Sequence, residues 1–107
     1  MAPTLPYTIK RAVISAAANG DNALVAAVSG KQIRVLALEV SASGAVNGKL
    51  QSDSTDITGL HYFAAAGDVW CLPYNVAGWC ETVVSKKLDL NLSGAVAVGG
   101  VLVYAEV

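Results

Sequence analysis

An all-β fold, a small antiparallel β-sandwich, is what this 107-residue chain predicts, and three features predict it. Turn-forming residues recur at short intervals: Asn19-Gly20-Asp21-Asn22, Ser29-Gly30, Ser43-Gly44, Asn47-Gly48, Gly67-Asp68, Asn75, Ser93-Gly94 and Gly99-Gly100. Such residues tolerate positive φ or hydrogen-bond their own backbone, as tight turns require. The β-branched and aliphatic runs between them are too short for ordinary helices, and regularly spaced short strands close into sandwiches or barrels. Finally, Leu88-Asp89-Leu90-Asn91-Leu92 alternates strictly, the period of a half-buried strand.

The elements follow in order. Tyr7–Ala16 is the first expected strand. Its competitor is a helix over Arg11–Ala18, favoured by Ala16-Ala17-Ala18; β-branched Val13 and Ile14 and the terminating Asn-Gly decide for strand. Ala23–Val28, Gln32–Val40 and Ala45–Gln51 come next, then Ile57–Ala64, Val69–Leu72, Trp79–Val83, Lys87–Leu92 and Val96–Glu106. Gly99-Gly100 inside the last run predicts a bulge or a break. Leu88, Leu90 and Leu92 are expected inside, with Asp89 and Asn91 outward. Pro3 and Pro6 each remove a backbone donor and bias their predecessors away from helix. Residues 1–6 are therefore expected as an extended arm and residues 7–107 as a single sandwich domain.

Charge is scarce. Only 14% of residues are charged, against roughly 25% in ordinary soluble domains. Fifty-four per cent are apolar, although aromatics make up only 7%. A chain this short has too little interior to hide so much apolar surface, and large exposed apolar patches mark contact surfaces. Two strands sharpen the point, because Gln32–Val40 and Val101–Glu106 read as apolar on both faces, and a two-faced strand needs cover on both. A homo-oligomer is the expectation. With net charge −1 and only Lys10-Arg11 and Lys86-Lys87 as adjacent cations, the chain lacks the basic stripe of a nucleic-acid binder. The longest charge-free apolar stretch, Leu90–Ala105, is too short and too rich in glycine for a membrane helix. Met1–Tyr7 has no basic segment leading into an apolar run, so a secretory signal is not expected.

The chemical inventory is thin. His61 is the single histidine, which excludes a histidine-based metal cluster or triad and reads as a structural residue on a strand. Cys71 and Cys80 fit neither a redox pair nor a zinc knuckle. The reading taken is buried free thiols, with a cross-strand disulfide as the alternative. Asp53 and Asp56 flank Ser54-Thr55 and read as a turn rather than as an acid–base pair or calcium site. There is no phosphate loop, nucleophile elbow or dinucleotide fingerprint. Asn91-Leu92-Ser93 matches a glycosylation sequon, a coincidence where no secretory route is expected. No enzyme activity, cofactor or metal is expected. Trp70, Tyr74 and Trp79 form the one aromatic cluster, open to three roles: plugging the core, anchoring a subunit interface, or stacking on a sugar.

The order of features resembles a group of small Ala/Gly/Val-rich structural proteins of tailed bacteriophages. The resemblance rests on Ile9-Lys10-Arg11-Ala12-Val13-Ile14, the Gly20-Asp21-Asn22 turn and Val25-Ala26-Ala27-Val28-Ser29-Gly30-Lys31-Gln32-Ile33-Arg34-Val35-Leu36. It continues through Leu72-Pro73-Tyr74-Asn75-Val76-Ala77-Gly78-Trp79 with Glu81-Thr82, then Leu88-Asp89-Leu90-Asn91-Leu92-Ser93 and Val96-Ala97-Val98-Gly99-Gly100-Val101-Leu102-Val103-Tyr104. The two cysteines depart from it, standing where apolar or aromatic residues are expected. The resemblance implies a jelly-roll-like virion protein made in the host cytoplasm. Specifically, it implies a capsid decoration (cement) protein, trimeric on the head, whose partner is the major capsid protein. A tail or head–tail accessory protein and a small glycan-binding module on the virion surface are the alternatives. The residues assigned to contact are Leu5, Pro6 and Tyr7 in the arm, Leu36, Leu38, Leu102 and Tyr104 in the two-faced strands, and Trp70, Tyr74 and Trp79.

Overall fold

The alternation and turn chemistry translate into strands alone. The computed structural model describes residues 8–107, which form ten strands and no helix. They are β1 (Ile9–Ala16), β2 (Gly20–Val25), β3 (Ile33–Ala42), β4 (Val46–Ser52), β5 (Thr55–Asp56), β6 (His61–Phe63), β7 (Val69–Leu72), β8 (Cys80–Glu81), β9 (Leu88–Leu92) and β10 (Val98–Glu106). All pairings are antiparallel. One five-stranded sheet runs β1-β10-β3-β7, with β8 also on β3; the second runs β2-β9-β4-β5, with β6 also on β4. The chain is an all-β sandwich, and the expected arm over residues 1–6 lies outside the described residues.

The core lies between the two sheets. Ile14, Val35, Leu38, Val40 and Leu102 face it from the first sheet, and Leu50, Phe63, Leu88, Leu90 and Leu92 from the second, all essentially solvent-free. Full burial of a leucine contributes about 1.5–3 kcal/mol, so these side chains dominate what holds the layers together. At one end an aromatic stack ties sheet to sheet. His61 lies flat on Trp70 with centroids 5.0 Å apart, and meets Phe63 edge-on at 4.6 Å. The single histidine is a packing residue.

Several strand bounds differ from expectation for identifiable reasons. Asn19-Gly20 is not a hairpin turn: β1 and β2 belong to different sheets, so the chain crosses between layers there and β2 already begins at Gly20, at φ 94°. The expected strand Ile57–Ala64 shrinks to His61–Phe63, and Trp79–Val83 to Cys80–Glu81. Gly99-Gly100 neither breaks nor bulges β10. A Cβ on Gly100 would overlap the Glu39 backbone carbonyl, so glycine there lets β3 and β10 approach. The register shift falls instead between Val103 and Tyr104, where Val103 pairs with Ala37 but Tyr104 with Val35, leaving Leu36 as the extra residue.

That bulge corrects the reading of β3. It switches the alternation in mid-strand, so Ile33 and Val35 and then Leu38, Val40 and Ala42 all lie buried. Apart from Leu36, which is buried at the bulge itself outside the core cluster, the strand has one core face, and its apparent two-sided apolarity is a change of phase.

Candidate functional site

The two outer faces of the sandwich differ in kind. On the β2-β9-β4 sheet most outward positions are polar and several are bonded to one another, with Ala23 and the exposed Tyr62 of β6 as the apolar and aromatic exceptions. Asn91 Nδ2 donates to Asp21 Oδ1 at 2.7 Å, Lys49 Nζ to Asp56 at 3.0 Å, and Gln51 Nε2 to Asp56 at 2.8 Å. The hydrogen bond from Gln51, then that from Lys49, holds the Asp56 carboxyl below the usual range. Asp89 sits in this face but is completely shielded from solvent, contrary to the expectation of an exposed outward residue. The cross-strand neighbours Ala23 and Gln51 register beside it on both sides. Its nearest cation is Lys87 Nζ at 3.6 Å, and neither carboxylate oxygen accepts a hydrogen bond. Burial raises its pKa above the ordinary value. Gln51 Oε1 is buried and unbonded as well.

The expected Asp53/Asp56 turn holds for Asp53 and Ser54, whereas Asp56 already lies in β5, paired with Gln51. Asp53, at φ 57°, closes the connection between β4 and β5 and lies 3.9 Å from Lys87. No group of three or more His, Cys, Asp or Glu side chains that could hold a metal occurs among the described residues.

The outer face of the β1-β10-β3-β7 sheet is mostly small and apolar. The registered rows across it are Ser15–Gly99–Ser41–Val69, Val13–Val101–Glu39–Cys71 and Arg11–Val103–Ala37. Val13 is 83% exposed, the most exposed large apolar side chain among the described residues. A shallow groove of about 200 Å³ crosses the β10-β3-β7 part of the face, floored by Ala37, Val101 and Val103 and walled by Pro73 and Tyr74. That is below the roughly 300–1,000 Å³ of small-molecule sites. Its lining offers one carboxylate, Glu39, and one thiol, Cys71, without a cation or histidine beside them.

The 73–79 connection is laced to the bulge at Leu36. Asn75 N–H donates to the Leu36 carbonyl at 2.9 Å, and Trp79 N–H to that of Val35 at 2.8 Å. Gly78, at φ 84°, is required at this crossing because a Cβ would run into the Arg34 side chain. The connection carries Tyr74, Val76 and Trp79 exposed on the rim of the same sheet, with Trp79 Nε1 donating to the Pro73 carbonyl at 2.7 Å. Cys71 is exposed and Cys80 half-buried, and both are free thiols. Cys71 is thus more open than the buried thiol expected, while burial pushes the Cys80 thiol up to about 11.

The residues assigned to contact divide sharply. Leu36, Leu38, Leu102 and Trp70 are buried within one chain and have no surface to offer a neighbour; this corrects their assignment, because Leu38, Leu102 and Trp70 face the core and Leu36, the extra residue of the bulge, is buried where the 73–79 connection crosses β3. Tyr104 is half-buried against the core. Tyr74 and Trp79 are exposed, and Leu5, Pro6 and Tyr7 lie outside the described residues. Trp70 lies on the core side while Tyr74 lines the outer groove, so the three aromatics do not form one platform. Sequence reasoning missed Val13, Val69, Val101 and Glu39. The available signal was β1 itself, where Ala12, Ile14 and Ala16 claim the core face and leave Ile9 and Val13 outside.

The site thus defines a class: a small β-sandwich with one polar face and one apolar, contact-suited face. No protein-family model, curated protein or solved structure matches the chain.

Proposed function

We propose that this chain is a structural virion protein, a capsid decoration (cement) protein that binds a phage head and stabilises it through subunit contacts. The observation that carries the reading is the concentration of exposed apolar groups on one sheet. Of the eleven exposed large apolar side chains among the described residues, seven (Ile9, Val13, Val69, Tyr74, Val76, Trp79 and Val101) belong to the β1-β10-β3-β7 sheet or its rim, while Leu60 and Tyr62 lie at β6 and Val83 and Val84 in the β8–β9 connection. A rigid sandwich offering such a face is suited to lie against other proteins. Buried apolar area contributes about 25 cal/mol per Å² before the costs of association, and low charge keeps desolvation cheap. The sequence resemblance to small phage structural proteins supplies the head as partner and the trimer as the assembled form, in which effective concentration multiplies weak contacts.

Rupture of bare heads by heat, with and without saturating protein, tests the reading. The rupture temperature is expected to rise, and the gain to survive moderate salt because apolar contacts are not screened. Identical rupture curves would overturn it.

A further inference from the structure

We propose that the outer face of the β1-β10-β3-β7 sheet is an interface with a second copy of this chain, formed by seating Arg11 of one copy on Glu39 of the other. The proposal goes beyond the functional reading: the contact is two-fold and distinct from the trimer, and it does not depend on a capsid.

The argument begins with Glu39. Every other carboxylate side chain among the described residues has a recorded hydrogen bond or ion pair: Asp21, Asp53, Asp56, Asp68, Glu81, Asp89 and Glu106. Glu39 has none, and it stands in the middle of the apolar face between Val101 and Cys71. Arg11 is its counterpart, also without a recorded ion pair, one row away on the edge strand of the same face. Their backbones are separated by two strand spacings and two residues, about 12 Å by standard sheet dimensions. The face therefore carries one free negative and one free positive charge in an apolar field.

That pattern selects the occupant. A purely apolar partner would bury Glu39 without compensation, at a cost of several kcal/mol. Residues 1–7 bring no charged side chain and cannot neutralise both groups. A second copy brings Arg11 to Glu39 and Glu39 to Arg11, the reciprocal matching of a self-complementary surface, while Val13, Val101 and Val103 meet their equivalents. The side chains are short, so two such sheets can approach to the usual spacing of about 10 Å. Four strands of this length cover about 500 Å² in plan. That falls short of the roughly 800 Å² per partner of a standard interface, so micromolar association is expected.

The experiment is sedimentation of the purified chain over a concentration series, with Arg11→Glu, Glu39→Arg, their equimolar mixture and the double variant. Both residues are exposed, and melting curves check that each variant folds. The wild-type chain is expected to associate, and each single variant to weaken association at least tenfold. The mixture restores it, because every contact then pairs opposite charges, and so does the double variant. A monomeric wild-type chain at several hundred micromolar overturns the proposal. So do unaffected single variants, or single variants that the mixture fails to rescue. Association abolished by deleting residues 1–7 but indifferent to the charge swaps would make that segment the occupant instead. None of these results depends on head binding, so failure here and failure of the cement reading are separate outcomes.

Discussion

Replacing Asp89 by asparagine should stabilise this protein, an unusual direction for a change at a fully buried site. The carboxylate has no solvent exposure and no hydrogen-bond partner, and its only recorded ion pair is Lys87 at 3.6 Å. Gln51, directly opposite on β4, carries a third orphan acceptor in Oε1. Three acceptors with no donor among them is an arrangement that a single N–H relieves. The side-chain amide of the Asp89→Asn variant would supply it while keeping the shape of the side chain and removing a charge that Asp21 and Asp53 also oppose. An unsatisfied buried polar atom costs about 1–3 kcal/mol. Allowing for loss of the Lys87 attraction, a net gain of about 1–2 kcal/mol at pH 7 is expected. In a domain of this size each kcal/mol raises Tm by about 4–8 °C. The pH dependence has a definite sign. Burial raises the folded-state pKa of Asp89 above its ordinary 3.8, so the contribution of its proton is complete below that value and is lost as pH rises through the folded pKa. The advantage of the variant should therefore be full at neutral pH and shrink on acidification towards 3.8. Chemical denaturation of both proteins from pH 4 to 8 measures it. A variant less stable than wild type by 1 kcal/mol or more at pH 7 would refute the reasoning, showing that the ionised carboxylate and Lys87 together stabilise the face.

Two further substitutions test the packing. Leu90→Ala removes a side chain that is 1% exposed and should cost about 2–5 kcal/mol by urea denaturation; a loss under 1 kcal/mol would mean that β9 does not face a packed core. Gly100→Ala should cost about 1–3 kcal/mol or more, because its Cβ meets the Glu39 backbone, whereas Gly99→Ala meets only Ile14 O at an ordinary 3.5 Å. Equal effects at the two glycines would show that the β3–β10 register is wrong.

What could be read in the sequence was what depends on neighbours along the chain. The Leu88–Leu92 alternation is local, and β9 forms there with its three leucines inward. Val69–Leu72, bounded by turn residues, forms β7 residue for residue. Features decided by distant segments escape such a reading. The need for glycine at position 100 comes from the β3 backbone, far away in the chain. The bulge at Leu36 leaves no mark in composition, yet it reverses the face of every residue before it. Alternation points Asp89 outward because it gives direction and not cover, and the cover comes from β2 and β4. For the candidate site, the sequence singles out Tyr74 and Trp79 as contact residues but leaves open whether they plug the core or stand exposed, as they do. The apolar face itself was not legible, since it is assembled from single valines on separate strands.

The sandwich also has unequal margins, and this limits how copies can join by their backbones. On the far side each sheet ends in two short pieces, β7 with β8 on β3 and β5 with β6 on β4; β5 and β8 are two residues each. Interrupted margins are poor templates for an incoming strand. On the near side β1 presents eight continuous residues and β2 six, with Lys10 and Arg11 along β1. Strand-to-strand addition is therefore confined to the near margins, β1 and β2, and finds no continuous template on the far side. In a protein this poor in charge, the interrupted far margins close one of the two sides from which a sheet could grow.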